Sequence, residues 1–283
     1  MRLLAIEPHA WAARSALRDK VQLNISAESL RRSPPAVHGE RAAEGVVAID
    51  IQGVMLSMPS VWDVNFGGYA NIPGIRRAVE SAAADRAVKS IVLRINSPGG
   101  DVEGLAELGD AVREAARRKR VVAVIQGMGA SAAYYVASAA NEIIAGRMDL
   151  VGSIGTIMVI YDMSKGFADL GIRTVPIVTG QYKGTGTAGT KLTAEQEKYL
   201  QGIVDSFFHD FKVTVMAGRR LGFAELDAVT DGRVFPAAEA LRLKLVDEIG
   251  TFDVTVARLA RENFLTPQQR SRVRAQKKLL GIG

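Results

Sequence analysis

The sequence predicts an α/β fold in which helices pack on a parallel sheet. Three observations predict it. Continuous apolar, β-branched runs recur at Val46–Ile51, Ser90–Ile95 and Val121–Ile125. Segments with apolar residues at helical spacing separate them. Glycine-rich turns follow the second and third runs. Strands that are apolar on both faces and alternate with helices belong to a sheet covered on both sides.

The elements follow in order. Residues 1–44 are mixed and polar, with a loop signal at Ser33-Pro34-Pro35. They read as an N-terminal arm carrying a short helix at Ala10–Lys20. The run Val46–Ile51 is the first strand of the core. Ile72, Ile75, Val79 and Ala82 mark a helix, and Ser90–Ile95 a buried strand. Leu105, Leu108, Val112 and Ala115 mark a second helix, and Val121–Ile125 a third strand. A helix is expected over 131–139, followed by a strand at Glu142–Ala145. Thr156–Ile160 and Val175–Val178 also read as strands. Thr193 with Gln196 forms a capping-box pattern. It opens a long helix whose face holds Leu200, Ile203, Val204, Phe207, Phe208, Phe211 and Val215. The core domain is expected over 45–250, with 251–283 a basic helical tail.

Composition narrows the chemistry. A chain of 283 residues, 48% hydrophobic and 23% charged, can bury a sizeable core. The absence of cysteine excludes disulfides, zinc–thiolate sites, iron–sulfur clusters and cysteine nucleophiles. The net charge of +6 raises the question of nucleic acid. Much of the excess, however, clusters at Arg258, Arg261, Arg270, Arg272, Arg274, Lys277 and Lys278. A basic end of this kind is a solvated helix or a disordered tail. Basic residues interleaved with aromatic stacking platforms are not evident. The reading therefore argues against a nucleic-acid partner. The apolar run in Met1–Pro8 is too short for a signal peptide, and no stretch approaches the roughly 20 apolar residues of a membrane span. A cytoplasmic protein is expected, in the bacterial host if the chain is phage-encoded.

Sites in α/β sheets form at the carboxyl ends of parallel strands, which nominates the glycine-rich turns. The first is Asn96-Ser97-Pro98-Gly99-Gly100-Asp101. Paired glycines let backbone N–H groups approach a ligand, as an oxyanion hole or substrate cradle requires; the alternative is a plain strand-to-helix turn. The second, Gly127-Met128-Gly129-Ala130-Ser131-Ala132-Ala133, delivers Ser131 to the start of a helix. Ser131 is either an N-cap or a nucleophile whose oxyanion faces the Ala132 N–H. The histidines His9, His38 and His209 are poorly placed in sequence to serve it, which leaves a lysine base to consider. A lysine's free pKa of about 10.4 would have to fall roughly three units to act near neutral pH, about 4 kcal/mol against the charged form. Lys183, in the loop Thr179–Gly186, is either that base or an exposed loop residue.

Together these residues resemble the S49 serine peptidases, which include signal peptide peptidase A and phage head-maturation peptidases. The resemblance covers about 45–250. It rests on Ile95–Gly100, Gly129–Tyr135, Val151–Gly155, Gln181–Gly184 and Asp231–Phe235 through Leu245–Asp247. It implies a ClpP/crotonase-like spiral of ββα units and a homo-oligomeric ring. It also implies a Ser131–Lys183 dyad assisted by Ser153, with Gly100 and Ala132 donating to the oxyanion. A protein or peptide substrate would lie extended along Gly99, Asp101, Val102 and Glu103 by strand addition. Neither cofactor nor metal is required. Two roles compete: processing of phage capsid assembly proteins, which is favoured, and degradation of signal peptides in a cell. A crotonase-type acyl-CoA enzyme or a non-catalytic assembly protein of the same fold are the readings from other classes.

Overall fold

The computed structural model describes residues 3–6, 37–60, 63–64, 67–265 and 269. In chain order its strands and helices are β1 (Leu3–Ile6), β2 (Glu40–Ala43), β3 (Val46–Gln52), β4 (Val54–Leu56), β5 (Tyr69–Asn71), α1 (Ile72–Ala84), β6 (Ser90–Ser97), β7 (Gly99–Asp101), α2 (Leu105–Arg118), β8 (Arg120–Ala130) and α3 (Ala132–Ser138). There follow β9 (Glu142–Ala145), β10 (Leu150–Gly152), β11 (Ile157–Met158), α4 (Ser164–Asp169), α5 (Ala194–Arg219), α6 (Phe223–Asp227), β12 (Val234–Pro236), α7 (Ala237–Arg242), β13 (Glu248–Ile249) and α8 (Phe252–Phe264). The helix expected at Ala10–Lys20 lies outside the described residues.

The fold is α/β, with helices packed on a largely parallel sheet. Strands β3, β6 and β8 run parallel in the middle of the main sheet. The long β8 pairs β9 with its first half and β10 with its second, both parallel. Antiparallel β2 and β12 close the two ends. A second sheet, ordered β11-β1-β7-β4-β5, collects the short strands. One residue separates β3 from β4, and one separates β6 from β7. A long strand of the main sheet thus turns into a short strand of the second, and a helix follows: the ββα repeat.

Side-chain alternation explains why the strands read as continuously apolar. In β6, Ile91, Leu93 and Ile95 enter the main core with α1, α2 and α3. Val92 points the other way, into a smaller core with Val46, Val122, Val124 and Ile144. Helix α8 seals that second face with Val256 and Leu259. Each buried branched side chain there contributes about 1.5–3 kcal/mol. The core therefore continues past Gly250, and residues 252–264 are a covering helix, not a solvated tail. Likewise, Glu40–Ala43 of the expected arm already forms strand β2, paired to β3.

Two other expectations change. The strand expected over Thr156–Ile160 shrinks to β11. Val175–Val178 is not a strand: no neighbour among the described residues offers it a ladder, and Ile177 is 97% exposed. β-branched composition alone does not make a strand without a partner edge.

Helix α5 begins as expected. Thr193 Oγ1 accepts from the Gln196 N–H and Gln196 Oε1 accepts from the Thr193 N–H. Its expected apolar face is only partly covered. Leu200, Phe211 and Val215 are buried, whereas Ile203, Val204, Phe207 and Phe208 are half-buried or exposed. The C-terminal half packs on α3 because Gly218 has no side chain: a Cβ there would lie 1.8 Å from the Ser138 carbonyl oxygen.

Candidate active site

Three strand ends of the main sheet converge on one place. In β6 and β8, Ser97 is in register with Gly129; in β8 and β10, Ala130 is in register with Gly152. The next residues are Ser131 and Ser153, which therefore emerge side by side from strands about 4.8 Å apart. Both line a cavity of about 370 Å³ with Gly155, Thr156, Ile157, Gln201, Val204, Asp205, Phe208 and the turn Thr230–Gly232.

Ser131 is 1% exposed and sits at the junction of β8 and α3. Its φ of 53° and ψ of −122° lie where side chains are rarely tolerated. Such a conformation costs on the order of 1–3 kcal/mol and persists only where its surroundings impose it. They do so through the backbone: the Ser131 N–H donates to Gly152 O at 2.8 Å, and the Ser131 carbonyl accepts from the Tyr135 N–H at 2.9 Å. The hydroxyl does not cap α3. The N-cap alternative therefore fails. Ser153 is similarly strained, with φ 50°, and its N–H donates to Arg233 O at 2.7 Å.

Helix α3 anchors this junction. All seven of its residues are buried. The Tyr134 hydroxyl donates to Leu245 O at 2.7 Å, and the Tyr135 hydroxyl donates to Asp210 Oδ2 at 2.9 Å. The Tyr135 ring meets Phe211 edge-on, with centroids 5.4 Å apart. Burial pushes the Tyr135 hydroxyl up to about 12, so it stays protonated as a donor. The N–H of Ala132, in the first turn, has no partner within its helix.

The glycine turn contributes a backbone edge. Gly100 is in register with Met55 of β4, where a Cβ would fall 1.8 Å from the Met55 carbonyl oxygen. Only glycine allows that approach. Ser97 Oγ accepts from the Gly99 N–H at 3.2 Å. Asp101 is buried, and its carboxylate accepts from the Ser57 N–H at 3.0 Å. Its side chain therefore anchors β7 from within, and what β7 offers a ligand is main chain. Val102 is half-buried and Glu103 exposed. All three line a second cavity, of about 650 Å³, whose walls include Leu105, Tyr135, Phe207 and Phe211. Thr156 borders both cavities.

Lys183 is not brought to this place. It is exposed and does not line the Ser131 cavity. Its loop docks on the first turns of α5, where Tyr182 stacks on Tyr199 at 4.8 Å and the Gln196 amide donates to Gln181 O. The cavity meets α5 further along, between Gln201 and Phe208. His38 and His209 are exposed and lie outside the cavity. The sequence alone assigns no site role to Thr156, Gln201, Asp205 or Thr230; the Asp231-Gly232 turn is the one signal it carries for this wall. The Arg233 guanidinium beside Asp231 holds that carboxyl below its ordinary value.

A family model, that of Peptidase family S49, matches residues 113–266. The chain belongs to peptidase family S49. Among S49-like relatives, a protease-named protein of Methanocaldococcus jannaschii is 34% identical over 175 residues, covering 62% of this chain and 56% of the relative. Capsid assembly protease C of Escherichia phage lambda is 26% identical over 227 residues, covering 80% of this chain and 51% of the relative. The S49 chain thus spans about half the length of these curated relatives. A solved structure described as an enoyl-CoA hydratase/isomerase of Acinetobacter baumannii has a TM-score of 0.49 at 14% identity, covering 87% of this chain and 88% of that one.

Proposed function

We propose that this S49 chain is a serine endopeptidase in which Ser131 is the nucleophile and Lys183 the general base. The strained, buried, non-capping Ser131 at the mouth of a cavity carries the reading. Ser131 Oγ attacks the scissile carbonyl, and its proton passes to neutral Lys183. The oxyanion accepts from the N–H groups of Gly100 and Ala132. The leaving amine takes the proton back, and water activated by Lys183 then hydrolyses the acyl-serine. The Ser153 hydroxyl, just past the end of β10 and beside Ser131, orients or shares that proton. The substrate lies extended along Gly99–Glu103, with main-chain bonds for affinity and the Val102–Phe211 cavity for a side chain.

Within this reading the base comes from a second copy of the chain. Lys183 lies outside the Ser131 cavity, and its own stretch exposes Leu170, Ile172, Val175, Ile177 and Val178. Contiguous exposed apolar surface of this kind marks an interaction site. A ring of copies covers it and brings each Lys183 to a neighbour's Ser131. The similarity to a phage capsid assembly protease favours assembly proteins of a phage head as substrates, with the chain acting in the host cytoplasm. No helix among the described residues is long and apolar enough to cross a membrane.

Co-expression of Ser131→Ala with Lys183→Ala tests the reading. Each variant alone is inactive on a casein or peptide substrate. If the pair forms between copies, about a quarter of the mixed sites carry both groups and activity returns. No recovery would assign Lys183 to its own chain's Ser131. Full activity of either single variant would remove the assigned role.

A further inference from the structure

The segment Leu3–Ile6 lies in the track just assigned to substrate. Strand β1 is antiparallel to β7 on one side, with Leu4, Ala5 and Ile6 in register with Asp101, Gly100 and Gly99. On its other side it is antiparallel to β11, with Leu3 and Leu4 in register with Met158 and Ile157. Without β1, the edges of β7 and β11 face each other across a slot one strand wide, about 10 Å between the flanking chains. An extended peptide entering that slot gains a ladder on both sides. Ile157 borders the cavity of Ser131 and Ser153, so the slot and the nucleophile share a wall.

From this placement we infer that Leu3–Ile6 is a substrate mimic supplied in cis, which competes with substrate for the slot. The inference rests on the peptidase reading for its consequence, though not for the occupancy itself. It also names the ligand class. The slot takes an extended apolar segment, and the residue opposite Gly100, the proposed oxyanion donor, is the small Ala5. Residues 7–39 tether the strand to β2. Because strand and slot belong to one chain, occupancy of the slot by Leu3–Ile6 does not fall on dilution. Substrate must displace it, which raises KM and leaves kcat alone, because only the fraction of open slots changes.

Ala5→Pro tests this in the full chain. Proline removes a backbone donor and is not tolerated in a strand paired on both sides. Hydrogen exchange read by mass spectrometry should rise at 99–101 and 157–158 in the variant, and KM for a fluorogenic peptide should fall at least threefold at unchanged kcat. Unaltered exchange, or raised exchange with unaltered KM, overturns the inference. A labelled acetyl-Leu-Leu-Ala-Ile amide supplies a readout that needs no turnover. It should bind Ala5→Pro at least threefold more tightly than the unmodified chain, and equal binding again overturns the proposal. Failure of the peptidase reading itself would show separately, as hydrolysis indifferent to Ser131→Ala.

Discussion

Helix α3, which carries Ser131 at its head, and the stretch 159–192, which carries Lys183, differ in nearly every physical respect. Every residue of α3 is buried, and its two tyrosines are tied to α5 and to the segment before β13. The Lys183 stretch has one short helix, α4, with no buried residue. Its Leu170, Ile172, Val175, Ile177 and Val178 face solvent, and its contacts with α5 include one aromatic stack and one long hydrogen bond. A nucleophile in a strained turn needs rigid surroundings to hold the strain. A base carried on a solvent-exposed apolar stretch needs something else to cover that stretch. Under the proposed function, the contrast is the one expected of a site that is completed on assembly.

The comparison can be broken from either side. The largest effect is expected on the rigid side, from Gly100→Ala. The new methyl meets the Met55 carbonyl and displaces β7, so kcat should drop about 10²–10³-fold, the usual loss for an oxyanion donor. Normal kcat would show that β7 gives no such donor. On the exposed side, Ile177→Asp should dissolve the assembly in a sedimentation measurement and remove most activity. Its effect on the folding stability of the single chain should stay within about 0.5 kcal/mol, because Ile177 is almost fully exposed. A variant that unfolds more readily than the dissociated parent chain would instead mean that the stretch supports its own chain. Ser153→Ala, back on the rigid side, should lower kcat about tenfold, as expected of a hydroxyl that assists general-base chemistry. Unchanged turnover would leave Ser153 a structural neighbour. The smallest effect belongs to Tyr135→Phe, which deletes the bond to Asp210 and should cost about 1 kcal/mol in a denaturant titration.

The two regions were also unequally legible. The strands that end at the site could be read from sequence because their two faces enter two cores, as with Ile91, Leu93 and Ile95 against Val92. The capping box at Thr193 is local chemistry and was equally plain. What sequence could not decide was whether Ser131 caps or reacts. That depends on the φ and ψ that β8, β10 and α3 jointly impose. Nor could it see that Ala130 and Gly152 fall in register and so set Ser153 beside Ser131, because register is a non-local property. Val175–Val178 reads as a strand from its β-branched residues, yet no neighbour among the described residues offers it an edge. Their apolar character is explained only if another surface covers them. Leu3–Ile6 gave no signal, since a four-residue apolar run becomes a strand only where a slot exists to receive it.

The most direct test of the account is an active-site fluorophosphonate on the intact protein, followed by peptide mapping, with Ser131→Ala in parallel. The account predicts a single adduct, on Ser131, absent from the variant. An assembly that cleaves peptides while Ser131 stays unmodified, or that carries the adduct on another serine, would contradict it.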